Sequence, residues 1–238
     1  MISSDRTAGP AVRWAVIFDL DGLLVDSEPV QMESFNAILA RYGVRLDEAA
    51  FQPLVGRSTR ENFAVLKRRY ALAESIEELL LEKARVYDSL LDRGLRVMPG
   101  ASRLIRRLRR ERVPLAVASS SPTRVVRRSL AAAGLNGRVG PIIGGDQVAR
   151  TKPAPDVYQK AVAVLGLAPS RCVAIEDSEA GVAAALAAGL TCVAVPNRFT
   201  SRDVFSGAAL VRASLEDLDV EDLRALVIRA DRTDNREP

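Results

Sequence analysis

The chain has 238 residues, of which 48% are hydrophobic and 27% charged, which is typical of a globular protein with one large domain and room for an insertion. It contains no histidine, which excludes Ser-His-Asp and Cys-His nucleophiles, phosphohistidine chemistry and histidine-ligated zinc. Acid–base catalysis must therefore rely on carboxylates, lysine, tyrosine or cysteine.

The formal net charge is +4, and most basic residues are arginines that lie along predicted helices with few aromatic residues between them. This pattern predicts solvated helix faces and no nucleic-acid partner. The first ten residues, Met1–Pro10, are polar, and no segment resembles a signal peptide or a membrane span, so we expect a cytoplasmic protein without a membrane partner. Cys172 and Cys192 lie in apolar runs, which predicts buried thiols. We expect a monomer.

Short apolar runs alternate with amphipathic segments along most of the chain. The predicted strands are Val12–Asp19, Pro114–Ser119, Val139–Ile143, Arg171–Glu176 and Thr191–Val195. The predicted helices between them are Ala101–Glu111, Pro122–Ala133, Pro155–Leu165 and Glu179–Ala188. Three of these helices are followed directly by glycine, a common helix-ending residue. The alternation predicts an α/β fold with a doubly wound parallel sheet, covered by helices on both faces.

The segment Pro29–Arg93 interrupts this alternation, because its pattern is helical throughout. Ser58 and Ser75 are each followed three residues later by glutamate, which is the pattern of a capping box at a helix start. We therefore predict a small all-helical domain at residues 29–94, inserted into an α/β domain at residues 11–28 and 95–228. Residues 1–10 and 229–238 are predicted to be flexible tails.

Pairs of carboxylates follow two of the predicted strands. Asp19-Leu20-Asp21-Gly22 comes after the first, and Glu176-Asp177 ends the fourth. Parallel strands present their carboxyl ends at one edge of the sheet, so we expect these side chains to converge there. Like charges held close together oppose folding unless a cation joins them, and oxygen ligands without thiolate or imidazole favour Mg²⁺.

Groups suited to phosphate occur at two further places. In Ser119-Ser120-Ser121-Pro122 a strand delivers hydroxyls to the start of a helix, whose free N–H groups favour an anion. Lys152 lies in a loop stiffened by two prolines, where its ammonium could neutralise phosphate oxygens. Each motif alone has an ordinary structural explanation as a strand end, helix cap or surface lysine. The four together predict a phosphate site.

In this order the four motifs resemble those of the haloacid dehalogenase superfamily. The matching residues are Asp19-Leu20-Asp21-Gly22, Ser119, Lys152 and Glu176-Asp177. The resemblance extends from about Val12 to Leu226, and the helical insertion resembles the cap of the subgroup that includes β-phosphoglucomutases and sugar phosphatases. It implies a doubly wound α/β core with the active site between core and cap.

The resemblance also implies roles for the individual residues. Asp19 would attack phosphorus and become an aspartyl phosphate, while Asp21 would protonate the leaving oxygen and then activate water. Mg²⁺ would be held by Asp19, the carbonyl of Asp21 and Asp177, with Glu176 as a further ligand or a neighbour of the ligands. The residues implied to bind phosphate oxygens are Ser119, Ser120 and Lys152. An acid–base aspartate at position 21 argues against dehalogenation.

The implied reaction is Mg²⁺-dependent hydrolysis of a small phosphorylated metabolite, such as a sugar phosphate. A sugar phosphomutase and a weakly active regulatory or binding protein of the same fold remain alternatives. β-Phosphoglucomutases typically carry a histidine near the position of Gln31, and the lack of that histidine disfavours a mutase. A second departure from the family pattern is Thr151, which stands where glycine is common. Substrate specificity is expected in the cap, with Gln31, Arg57, Ser58 and Arg60 as the candidate residues.

Overall fold

The computed structural model describes residues 14–55, 57–200 and 205–234. The strands in these ranges are β1 (Ala15–Phe18), β2 (Leu115–Ala118), β3 (Ile142–Ile143), β4 (Cys172–Glu176), β5 (Thr191–Ala194) and β6 (Leu210–Val211). They form one sheet in the order β3-β2-β1-β4-β5-β6, and every pairing is parallel. The order reverses direction beside β1, and open α/β sheets bind their ligands at such a point.

Helices connect the strands and also form the long segment between β1 and β2. They are α1 (Glu28–Leu39), α2 (Glu48–Phe51), α3 (Thr59–Tyr70), α4 (Ile76–Leu91), α5 (Ala101–Arg110), α6 (Thr123–Ala132), α7 (Asp156–Leu165), α8 (Glu179–Ala187) and α9 (Val220–Asp234). None of the helices in the described ranges is long and apolar enough to cross a bilayer.

The two faces of the sheet carry different side chains. On β1, Val16 and Phe18 point to a cluster shared with α5, α6 and α9, whereas Ala15 and Ile17 point to a cluster shared with α7 and α8. The second face is rich in alanine and includes Cys172 and Cys192, which are buried thiols as predicted. Small side chains let α7 and α8 approach the sheet closely. The doubly wound parallel α/β fold is confirmed.

The structure differs from the predicted elements near the ends of the sheet. β3 covers only Ile142–Ile143 of the predicted run, because Pro141 has no N–H to donate to a neighbouring strand. Neither β6 nor α9 was predicted, and α9 runs to Asp234, beyond residue 228 where the predicted core domain ends. Residues 1–13 lie outside the described ranges, and so do the predicted N-terminal tail and the start of the first predicted strand.

The helices α1 to α4 surround an apolar cluster of their own, which contains Phe35, Phe51 and Phe63. Both capping boxes predicted in this segment are present, at the starts of α3 and α4. These helices pack against one another more than against the sheet, because their apolar sides face this separate cluster. The division into residues 29–94 and a two-part α/β domain stays a prediction.

Two chain segments join the helical segment to the sheet, and they run side by side. Val25 and Val97 form an antiparallel bridge. Flanking it, the Asp26 N–H donates to the Arg96 carbonyl at 2.9 Å, and an ion pair joins the side chains of the same two residues. The two connections are therefore tied to each other, so a rotation of the helices would move both together.

Candidate active site

The three central strands β2, β1 and β4 end at the same edge of the sheet, and each is followed by a polar residue. Asp19 follows β1, Ser119 follows β2, and Glu176 and Asp177 close β4. Because the strands are parallel neighbours, their carboxyl ends coincide, and these four side chains are all buried. The convergence that the sequence predicted is present.

A tight turn after β1 brings Asp21 back over this edge. The Gly22 N–H donates to the Val25 carbonyl at 2.9 Å, and Gly22 has a φ of +81° that other residues rarely adopt. A Cβ at this position would lie 2.3 Å from the Asp177 carboxylate. Glycine is therefore required both for the turn and for the close approach of the turn to Asp177.

Lys152 reaches across the strand ends from the loop before α7. Its ammonium donates to Asp19 Oδ1 at 2.5 Å, to Glu176 Oε1 at 2.6 Å and to the Ala118 carbonyl at 2.8 Å. Three donors thus meet three acceptors, which fixes the position of the ammonium. Burial alone would lower the pKa of Lys152, but the carboxylates of Asp19 and Glu176 raise it above its ordinary value, so this lysine stays charged.

The carboxylate of Glu176 is fully enclosed by donors from the protein itself. Its Oε1 accepts from Lys152 at 2.6 Å and from the Tyr158 hydroxyl at 2.5 Å. Its Oε2 accepts from the Asp177 N–H at 3.2 Å and from the Ser178 hydroxyl at 3.1 Å. Four donors occupy the lone pairs of both oxygens, so Glu176 is better placed to hold Lys152 than to bind a metal directly.

Asp177 is held by Asn197, a residue that the sequence analysis missed. Asn197 Nδ2 donates to Asp177 Oδ2 at 2.7 Å and also contacts the Gly22 carbonyl at 3.4 Å. It thereby joins the end of β4 to the turn after β1. A signal was present in the sequence, because Asn197 is the first hydrogen-bonding side chain after the fifth predicted strand and so belongs to the same sheet edge.

Three carboxylates crowd together at this edge. Oxygen atoms of Asp19, Glu176 and Asp177 lie within 4.8 Å of one another. Burial raises the pKa of Asp19 to about 8; Lys152 opposes this shift, while Glu176 and Asp21 add to it. Burial likewise raises the pKa of Asp177 well above its ordinary value, with Asp19 and Glu176 contributing. One ammonium does not neutralise three buried carboxylates, so this edge could hold a metal ion, with Asp19 and Asp177 as the carboxylates that are free to bind it.

The serines after β2 face Asp21. The Ser121 hydroxyl donates to Asp21 Oδ2 at 3.0 Å, and Ser119 Oγ lies 3.5 Å from the same oxygen. Ser119 Oγ also accepts from the Ser121 N–H at 3.0 Å. Within the described part of the chain, the Ser120 N–H and the buried Asp21 Oδ1 have no hydrogen-bond partner. The turn therefore carries one unpaired donor, and beside it lies one buried, unpaired acceptor.

The four cap residues proposed for specificity occupy different surroundings. Gln31 Oε1 accepts from the Lys83 ammonium at 2.5 Å, inside the protein. Ser58 is the N-cap of α3, Arg60 pairs with exposed Glu77 at 2.8 Å, and Arg57 is exposed. Among the described residues, no hydrogen bond or ion pair joins these last three to the strand-end carboxylates.

The sequence analysis did not single out Lys83, which lies on α4 and is only 5% exposed. Its ammonium is 4.6 Å from the centre of the Phe35 ring, and no carboxylate in the described ranges pairs with it. Burial lowers its pKa to about 8, while Asp21 and Glu28 oppose that shift. Burial and the charge of Asp21 raise the pKa of Glu28 to about 7. The helical segment therefore contains a buried cation whose pKa responds to the charges of Asp21 and Glu28.

Comparisons with known proteins agree with this geometry. Residues 16–195 match the family model of the haloacid dehalogenase-like hydrolases. The chain is 35% identical over 178 residues to validoxylamine A 7'-phosphate phosphatase of Streptomyces hygroscopicus subsp. limoneus, covering 74% of this chain and 83% of the relative. It is 31% identical over 217 residues to β-phosphoglucomutase of Bacillus subtilis strain 168, covering 87% and 92%.

A solved structure is similar over the same region. The crystal structure of CbbY from Rhodobacter sphaeroides in complex with phosphate superposes with a TM-score of 0.79 at 30% identity, covering 87% of this chain and 96% of CbbY. Its similarity covers both the sheet and the helical segment. Because the family model spans most of the sequence and the strand-end motifs stand together in the fold, this chain belongs to the haloacid dehalogenase-like hydrolase family.

Proposed function

We propose that this protein is a Mg²⁺-dependent phosphatase that hydrolyses a small organic phosphate monoester through an aspartyl phosphate on Asp19. The observation that carries the proposal is the meeting of Asp19, Asp21, Asp177 and Lys152 at the carboxyl edge of the sheet, beside the serine turn. Relatives that include a named phosphatase support hydrolysis as the reaction.

The residues present fit a magnesium ion. Carboxylate oxygens from Asp19 and Asp177 lie close together, and both pKa values are raised because the charged forms lack compensation. We propose that these two side chains and the Asp21 carbonyl hold the ion, while Glu176 acts through Lys152. The bound ion would neutralise phosphate oxygens and keep Asp19 ionised.

Asp19 is the nucleophile in this proposal. Its Oδ1 accepts from Lys152, which fixes the side chain and leaves Oδ2 to form the bond to phosphorus. An anionic carboxylate attacks an anionic phosphate only when the phosphate charge is compensated, and positioning with electrostatics supplies most of the catalysis. Ser119 and the Ser120 N–H are the groups that would bind the phosphate oxygens, while the positive charge of Lys152, whose three donors already bond to the protein, would offset the phosphate charge.

Asp21 is the acid and then the base. Ser121 holds its Oδ2 at 3.0 Å, while the buried Oδ1 has no hydrogen-bond partner in the described residues and would exchange a proton once the cap opens to admit substrate. It would protonate the leaving oxygen in the first step and accept a proton from water in the second. The tight turn at Gly22 places the carboxylates of Asp19 and Asp21 at the same edge of the sheet, so one bound phosphate ester could contact first Asp19 and then Asp21.

The helical segment would act as a cap that recognises the rest of the substrate. We propose residues 29–94 as this cap, hinged on the paired connections at Val25 and Val97. Lys83 is the polar group that we assign to this role, because its ammonium is buried, bonds to the neutral Gln31 side chain, and has a pKa that responds to the charge of Asp21. Closure would exclude water and set the leaving group against Asp21.

A phosphomutase of the same family is the second candidate, since β-phosphoglucomutase is among the relatives. The absence of histidine from the chain, with Gln31 bonded to Lys83, favours hydrolysis. A mutase would need a hexose 1,6-bisphosphate to rephosphorylate Asp19, so dependence on that compound separates the two enzymes. A cytoplasmic monomer without a nucleic-acid partner stays a prediction from the sequence.

The test is phosphate release from sugar, polyol, glycolate and nucleotide monophosphates, measured with Mg²⁺ and with EDTA. We expect release from at least one ester with Mg²⁺, none with EDTA, and recovery when Mg²⁺ is restored. Asp177→Ala should raise the Mg²⁺ concentration needed for half-maximal activity. Full activity in EDTA, or no release from any ester, would contradict the proposal.

A further inference from the structure

We propose that Asp146, in the loop between β3 and α7, is a positioning residue that holds the phosphate-binding turn of residues 119–123 in place. The inference rests on the proposed function and adds a residue to it that lies outside the four motifs. Asp146 does not contact the strand-end carboxylates. It acts through Thr123, the first residue of α6.

Asp146 caps α6 from another segment of the chain. Its Oδ1 accepts from the Thr123 N–H at 2.7 Å and from the Thr123 hydroxyl at 2.6 Å. The helix has no cap of its own, because its N-cap residue is Pro122, whose side chain accepts no hydrogen bond. The task that an N-terminal serine or aspartate usually performs is therefore carried out here by a residue 23 positions further along the chain.

The loop that carries Asp146 packs closely on the turn. Gln147 Nε2 donates to Thr123 Oγ1 at 2.7 Å and to the Ile142 carbonyl at 3.1 Å. A Cβ on Gly144 would lie 2.4 Å from the Thr123 nitrogen, and a Cβ on Gly145 would lie 2.3 Å from the Ser120 carbonyl oxygen. The two glycines are thus needed for this contact, and the two segments have little freedom to slide.

From Thr123 the contacts lead directly to the proposed site. The Gly145 N–H donates to the Ser121 carbonyl at 2.9 Å, and the Ser121 side chain donates to Asp21 Oδ2 at 3.0 Å. The Ser120 N–H, which is available for a phosphate oxygen, directly precedes the anchored Ser121 in the chain. A shift of the turn would therefore misplace a phosphate donor while Asp19 and the metal-binding carboxylates stay where they are.

Asp146 itself is exposed, so its removal leaves no cavity in the core. Hydrogen bonds from Thr123 hold the pKa of Asp146 below its ordinary value, so the carboxylate is charged at neutral pH. Asparagine keeps an acceptor oxygen in the same place, whereas alanine removes it. The pair Asp146→Ala and Asp146→Asn therefore separates loss of the contact from loss of the charge.

The experiment compares these two variants with the wild type in ester hydrolysis and in calorimetric titration with inorganic phosphate at saturating Mg²⁺. For Asp146→Ala we expect KM and the dissociation constant of phosphate to rise together by about fivefold or more, which is the affinity change that corresponds to a loss of about 1 kcal/mol in binding. The kcat and the Mg²⁺ requirement should change less than the KM, because Asp19 and Asp177 are untouched. Asp146→Asn should restore most of the affinity.

Gly145→Ala is the second variant, since its Cβ would push against Ser120 without removing any polar group. It should weaken phosphate binding in the same direction. Unchanged phosphate binding in Asp146→Ala, or equal loss in the alanine and asparagine variants, would overturn the inference. Failure of the proposed function is a different result: the wild type would then release no phosphate from any ester.

Discussion

The edge of the sheet and the helical segment differ in how their polar residues are held. At the sheet edge, Lys152 makes three hydrogen bonds and Glu176 accepts four, so each group has its position fixed by several others. On the helical segment, Lys83 has one hydrogen-bond partner, Gln31, and otherwise faces aromatic rings. The polar groups of the first region are each held by several partners, whereas the charge of Lys83 is held by one neutral partner.

This difference predicts that different residues control the rate of phosphoryl transfer and the choice of substrate. A phosphoryl group is the same in every ester, so the groups that handle it can be held rigidly. The remainder of the substrate varies, and a group that recognises it should bond to the substrate rather than to the protein. Substitutions at the sheet edge should therefore lower kcat for every ester, whereas substitutions on the helical segment should lower kcat/KM for some esters more than for others.

The largest effect is expected at the sheet edge. Asp19→Asn should lower kcat by about 10⁴-fold or more for every ester, because an amide of the same shape does not attack phosphorus. The variant should still fold, as judged by its circular dichroism and thermal unfolding. If the purified variant kept more than about a tenth of the wild-type kcat, Asp19 would not be the nucleophile.

A smaller and selective effect is expected at Lys83. Lys83→Met keeps the length of the side chain and removes its charge, so kcat/KM for the best substrate should fall about 10- to 100-fold, as for loss of a hydrogen bond to a charged group. For p-nitrophenyl phosphate, which offers the cap few polar contacts, the change should be below about threefold. Equal losses of kcat/KM for both esters would mean that Lys83 contributes to the reaction of every ester and does not select the substrate.

The pH dependence provides a test of the same lysine. Because the pKa of Lys83 is lowered to about 8, its positive charge is lost above that pH, and kcat/KM for the best substrate should decline there. Lys83→Arg should remove or shift this decline, since arginine stays charged. The unfolded chain binds the lysine proton up to about its ordinary pKa of 10.5, so this group should make the protein more stable as pH rises from 8 towards 10.5.

The smallest effects are expected at the exposed arginines of the helical segment. Arg60→Ala should change kcat/KM for the best substrate by less than about threefold, because this exposed arginine pairs with the exposed Glu77 and makes no hydrogen bond to the strand-end carboxylates of the described residues. If Arg57 or Arg60 contacts the substrate, as the sequence predicted, its replacement by alanine should lower kcat/KM for the best substrate more than kcat/KM for p-nitrophenyl phosphate. Glu77→Ala is the matched control, since it breaks the ion pair and keeps Arg60.

The sequence was sufficient to predict the strand ends and the chemistry placed on them. Asp19, Ser119 and Glu176-Asp177 each follow a short apolar run, and parallel strands bring such residues to one edge whatever the distance between them along the chain. The capping boxes at Ser58 and Ser75 were equally readable, because a cap involves residues only three positions apart.

Short elements and remote partners were decided by the tertiary structure. β6 contains two residues, too few for a pattern of alternating side chains, and it exists because it pairs with β5. Lys83 resembles any helical lysine in the sequence until the packing of α1 on α4 buries it against Phe35. Asp146 caps a helix 23 positions before it, beyond the reach of any local motif.

The physical reason is the range over which each interaction acts. Hydrophobic periodicity, turns and helix caps depend on neighbours a few residues apart, so the order of residues determines them. The hydrogen-bond partners and the pKa of a buried group depend on which distant segments lie against it, and only the packed chain settles that. For this protein the sequence therefore determined which polar side chains stand at the sheet edge, while the fold decided how Lys152, Glu176 and Asn197 hold them and which lysine of the helical segment is buried.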